Sequence, residues 1–151
     1  MSAGYSASGD QTLTTTATTA LTVGSNATTG QRNKFREFWM GNVGTPADLA
    51  SIQVVRRCTA LGTGTLVTAT EIDPADRAAQ AAAAENHTVE PTYTSAKELL
   101  EIPLNHRGTY RWVAAPGMEI ITPATVANGI GFTSLHASAV TDWRVGALWT
   151  E

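Results

Sequence analysis

The sequence predicts an all-β protein, an antiparallel sandwich with one short inserted helix and an extended N-terminal arm. Three observations lead there. Short runs rich in Val, Ile, Thr and aromatic residues alternate at period two. Gly, Pro and Asn punctuate them at short intervals. Only one segment carries helix-starting chemistry.

The first 30 of the 151 residues hold a single charge, Asp10, beside nine Thr, five Ala, four Ser and four Gly. Leu13, Leu21 and Val23 are the only Leu, Ile, Val or Phe in that stretch. Threonine is β-branched and favours extended chain. Residues 1–16 therefore read as an extended arm leading into a first strand near Thr18–Val23; the competing reading is a loose terminus. As an arm, residues 1–16 are expected to be dispensable for the fold.

Lys34–Asn42 is aromatic-rich, with Phe35 and Trp39 expected on one face and Phe38 and Met40 on the other. Val43–Ala50 is a Gly/Pro loop. Ser51–Leu61 alternates, and Gly62-Thr63-Gly64 reads as a turn returning Thr65–Ile72 as its hairpin partner. Asp73-Pro74-Ala75-Asp76 supplies an N-cap, a first-turn proline and an acid. The alanine run that follows predicts a helical insertion over 74–86. Strands resume at Ala96–Leu104 and Gly108–Ala115; Pro116-Gly117 is a type II turn signal. Met118–Pro123 returns, Asn128-Gly129 marks another turn, and Ile130–Ala139 follows. In Asp142–Thr150, Trp143, Val145, Ala147 and Trp149 share one face. The domain organisation is an arm over 1–30 and a sandwich over 31–151. About eight strands fit a double-sheet jelly roll, with an immunoglobulin-like sandwich as nearest competitor. On this reading threonine gathers in the arm and alanine in the inserted helix, both outside the core.

Charged residues make up 15% of the chain and the net charge is −3, which argues against a basic nucleic-acid binder. No apolar run is long enough to span a membrane as a helix, and no secretory leader follows Met1, so a soluble, intracellularly made protein is expected. Cys58 is the only cysteine, so an internal disulfide is excluded. It lies mid-strand beside Arg56 and Arg57 and reads as a buried, inert thiol. His87 and His106 read as surface loop residues and His136 as a strand end, none at metal-pair spacing. Neither a phosphate-binding loop nor a nucleophile elbow is present. The expected catalytic, cofactor and metal residues are none. Eight arginines against two lysines, with four tryptophans, suggest buried contacts between subunits. Trp39, Trp112, Trp143, Trp149, Arg36, Arg111 and Arg144 are the candidates, with Trp112 and Trp143 better suited to the core.

From residue 43 the wording becomes specific. Val43–Asp48 (VGTPAD), Arg56–Thr65 (RRCTALGTGT), Asp73–Asp76 (DPAD), Ala84–Thr94 (AENHTVEPTYT), Leu104–Ile120 (LNHRGTYRWVAAPGMEI) and Thr122–Gly131 (TPATVANGIG) together resemble a small structural protein of tailed bacteriophages and prophages. The resemblance implies a jelly-roll capsid decoration, or cement, protein: no enzyme, no cofactor, a homotrimer on the outer surface of the virion. Its implied partner is the phage major capsid protein, with no nucleic acid, membrane or small-molecule substrate. The alternatives are a tail- or fibre-associated module that binds a receptor or glycan, and a small cupin-like enzyme.

Overall fold

The computed structural model describes residues 2–13, 16–44, 48–135 and 141–151. Among them are twelve strands and no helix. These are β1 (Gly4–Leu13), β2 (Thr18–Ser25), β3 (Lys34–Val43), β4 (Ala50–Ala60), β5 (Thr63–Val67) and β6 (Thr70–Glu71), then β7 (Ala81–Val89), β8 (Thr92–Asn105), β9 (Thr109–Val113), β10 (Ile120–Ile121), β11 (Gly129–Leu135) and β12 (Thr141–Thr150). The front sheet runs β10-β3-β12-β1-β6, with β9 beside β10 on the same edge of β3. The back sheet runs β5-β7-β2-β11-β4-β8. Every pairing is antiparallel.

The segment expected as an arm is built into the front sheet. β1 pairs with β12 from Gly4↔Thr150 to Leu13↔Thr141 and with β6 on its other side. Extended chain was the right conformation for it. Its place inside the sheet follows from Tyr5, which is fully buried and donates its hydroxyl to the Arg77 carbonyl at 2.9 Å. Gly9 lets β1 cross β2 closely, since a Cβ there would stand 2.6 Å from the Ala20 carbonyl oxygen.

The core lies between the sheets. Trp143, Val145, Ala147 and Trp149 all point into it from β12. The Trp149 ring packs against Tyr5 and Phe35 at centroid distances of 6.1 and 6.0 Å. Phe38 bridges the two sheets, stacked on Trp112 at 5.0 Å and edge-on to Phe132 of β11 at 5.2 Å. Burying such rings contributes about 2–3 kcal/mol each. Phe35 was expected opposite Phe38 and Met40, yet all three are buried. A register shift between Leu148 and Trp149 inserts Arg36 as an extra residue on β3 and turns Phe35 inward.

The inserted helix over 74–86 is not formed. Asp73–Asp76 closes a turn, with the Asp76 N–H on the Asp73 carbonyl, and the alanines become β7. Ala81–Ala84 pair with β2, and Ala83 and Ala84 also pair with β5. The side chains of Ala83 and Ala84 are buried. A helix of alanines would have had no large apolar stripe to bury, whereas as a strand the segment gains a backbone ladder on both edges. The Glu151 carboxylate accepts from the N–H groups of Gln80 and Ala81 at the entry to β7.

The Gly62 turn does not make a hairpin either. β4 runs on through Gly62 (φ 76°) into β5, and their partner strand runs on from β7 into β8. Ala60↔Thr92 and Thr63↔Val89 keep one register across the bend. This bent ribbon borders β2 through β7 and β11 through β4.

The side of β2 and β11 turned away from the core is polar and buried. Thr133 donates to the Tyr93 hydroxyl at 2.6 Å, Tyr93 lies 2.6 Å from Thr19 Oγ1, and Thr19 donates to the Glu90 carboxylate. His87, on β7, and His106, in the turn after β8, are buried in such contacts and not exposed at the surface. His87 Nδ1–H donates to the Thr19 carbonyl, which leaves Nε2 to accept from Thr22 Oγ1 at 3.1 Å. His106 Nε2 lies 3.1 Å from Ser51 Oγ. His136 lies outside the described residues.

Two outcomes follow. Removing residues 1–16 deletes an inner strand and Tyr5 from the core, so the truncated chain is expected to lack a cooperative unfolding transition, read by far-UV and near-UV circular dichroism. Burial pushes the His87 imidazole below its ordinary value of 6.5, so the unfolded state takes up its proton first. Stability from this group is present above 6.5 and is lost as pH falls from there toward the lowered folded value. Urea unfolding should show a shallower loss on acidification for His87→Gln than for the unaltered chain.

Candidate functional site

The seven Trp and Arg candidates separate into three environments. Trp143 and Trp149 are 1% exposed and belong to the core, and Trp112 packs against it through Phe38. Trp149 is thereby removed from the surface candidates. Trp39, Arg111 and Arg144 share the outer face of the front sheet, while Arg36 stands at one end of it.

That outer face is ordered by the pairing registers. Trp39 of β3 lies opposite Arg111 of β9 on one side and Gly146 of β12 on the other. Gly146 lies opposite Ser8 of β1, and Arg144 opposite Asp10. Arg111 grips Glu37 with both arms of its fork, at 2.6 and 3.0 Å, and holds the Glu37 carboxyl below the usual carboxylate range. Arg144 reaches Asp10 at 3.2 Å. The Asp10 backbone N–H is itself held by Glu85, whose carboxyl is pushed up by burial.

At the end of this face where β1 begins and β12 finishes lies an open trough of about 830 Å³. Two turns wall it. One is Asp73–Asp76, held by the Asp76 N–H on the Asp73 carbonyl; the other is Ala115–Met118, held by the Met118 N–H on the Ala115 carbonyl. The second contains Gly117 at φ 81°, as the Pro-Gly signal predicts. Apolar side chains stand between the walls, with Ile72 59% and Val113 56% exposed beside Leu148. Met118, 70% exposed, sits at the outer turn. The rim carries Arg36, which has no ion-pair partner among the described residues, and the acids Asp73, Asp76 and Glu119. Apolar ground with a charged rim is the anatomy of a protein docking patch.

Sequence reasoning found Arg36 but not Ile72, Val113 or Met118. Ile72 and Met118 belong to turns that meet only in the folded chain. Among the described residues no three His, Cys, Asp or Glu side chains gather closely enough to hold a metal ion.

No family model matches the chain, and no curated protein or solved structure matches it.

Cys58 is buried against the back sheet, and that burial pushes its thiol up to about 12. Native protein is therefore expected to leave a thiol-reactive disulfide reagent unreacted at pH 8, with one equivalent consumed when urea unfolds it; rapid reaction in the native state would show an accessible thiolate.

Proposed function

We propose that this protein is a non-catalytic structural component of a phage virion, which decorates the capsid and bridges neighbouring major capsid subunits as a homotrimer. The trough on the front sheet carries this reading: exposed Ile72 and Val113 between two rigid turns offer an apolar seat for a partner's chain. Its acidic rim favours a partner segment bearing Lys or Arg, and Arg36 supplies one unpaired donor for a carboxylate.

The strand order supports the jelly-roll reading of the fold. With the ribbon end of β5 and β7 and the two-residue strands β6 and β10 set aside, the sheets read β9-β3-β12-β1 and β8-β4-β11-β2. In that winding the chain changes sheets at each connection but one, the return from β4 to β8 within the back sheet, as in a jelly roll. A rigid sandwich of this kind suits a part that must add contacts across a shell without moving. Decoration requires many modest interfaces repeated over a surface, and a seat of this size on each copy fits that requirement.

The test is co-sedimentation with undecorated capsids, with light scattering of the free protein for its mass. Unaltered protein is expected to pellet with shells and to scatter as a trimer. Ile72→Asp and Val113→Glu change exposed residues, so they should leave the fold intact and weaken shell binding about tenfold or more. Failure of the unaltered protein to pellet with shells overturns the assignment.

A further inference from the structure

On the outer face of the front sheet, away from the trough, Trp39 is the one aromatic residue of β3 that points out of the core. It is 38% exposed, although Phe35 and Phe38 of the same strand are fully buried. The indole lies flat. A Cβ built on Gly146 would fall within the van der Waals radii of Trp39 Cε2 and Cζ2 and 2.7 Å from Nε1. Such a position sits over the plane of the ring, since an in-plane approach beside the Cε2–Cζ2 bond would bring Nε1 as near as the two carbons. One face of the indole therefore rests on the bare backbone of Gly146, and the residue keeps 38% of its surface in solvent.

Hydrogen-bonding groups surround this plate on both sides. Arg111 uses Nε and one Nη2 hydrogen on Glu37 and keeps its other N–H groups available. Arg144 and Asp10 form a second pair beyond Gly146, next to the exposed Ser8 opposite that glycine. Each arginine is paired with an acid, and Glu85 stands behind Asp10 on its backbone N–H, so neither guanidinium is left without a counter-charge. An apolar plate the size of one ring, with neutralised planar donors and acceptors at its edges, is complementary to a neutral ligand that has an apolar face and a hydroxyl-bearing rim. A stable protein contact usually needs about 800 Å² per partner, far more than one indole face supplies.

We infer that Trp39, flanked by Glu37–Arg111 and Asp10–Arg144, is a binding site for a neutral pyranose sugar, which stacks its C–H face on the indole and hydrogen-bonds the two ion pairs through its hydroxyls. The site adjoins the trough through Glu37, but it does not depend on the capsid assignment. Gly146 is a positioning residue, because a larger side chain there would lift the ring from its seat.

The test follows the tryptophan indole N–H signals of the full chain, labelled with ¹⁵N, during titration with methyl β-galactoside, methyl β-glucoside, N-acetylglucosamine and cellotetraose. Sorbitol, which has hydroxyls but no ring face, is the control. The Trp39 signal, assigned by its absence in Trp39→Phe, is expected to shift with at least one pyranose and not with sorbitol, while those of Trp143 and Trp149 stay fixed. Trp39→Ala should weaken binding about tenfold or more and Trp39→Phe only a few-fold, with the thermal unfolding of both close to the unaltered chain. Gly146→Ala keeps the indole but disturbs its seat, and should also weaken binding. No shift with any of the four sugars, or an equal shift with sorbitol, overturns the inference.

Discussion

The ten-residue ladder between β1 and β12 joins the beginning of the chain to its end, and the front sheet is assembled around it. β12 stands between β1 and β3, so every residue of β3, β9 and β10 reaches β1 only through it. The aromatic cluster obeys the same arrangement: Tyr5 and Phe35 touch the two sides of Trp149. Since these strands are separated by most of the chain, no part of the front sheet can form from local contacts alone. Such long-range pairing gives slow and cooperative folding.

The back sheet solves a different problem. Its ribbon of β4–β5 and β7–β8 bends at Gly62 and encloses polar side chains on β2 and β11. A buried hydroxyl is costly unless paired, and Thr133, Tyr93 and Thr19 meet that condition by passing donors in sequence to the Glu90 carboxylate. Arg56 closes the cluster by stacking over the Tyr93 ring at 4.7 Å and pairing with Glu98 at 3.2 Å. The composition acquires a structural meaning here. Threonine fills interior positions where a β-branched shape and one hydrogen bond are both useful, and alanine fills β7, where strands crowd on both edges.

The two surface features lie on one outer face but differ in chemistry. The trough combines exposed aliphatic side chains with an acidic rim, which suits a polypeptide. The Trp39 plate combines one aromatic ring with charges already paired, which suits an uncharged polyol. Glu37 stands between them, lining the trough and fixed by Arg111 beside the plate.

The β class, most strand positions, the Pro116-Gly117 turn and the inward face of β12 were legible in the sequence, because period-two alternation and turn chemistry are local properties. Burial of Cys58 was legible from its place within a strand. What alternation could not reveal was which strands meet. The helix signal at Asp73–Asp76 was genuine local chemistry, yet the alanines after it found two strand partners and Glu151, and pairing outweighed propensity. Tyr5 in the core, His87 and His106 in buried hydrogen bonds, and Trp39 lying on Gly146 all depend on residues far away in the chain. The amino-acid sequence by itself determined that this chain extends, alternates and turns; only the tertiary structure decided which edges pair and which ring stays in water, because those choices are made by contacts between segments that do not adjoin.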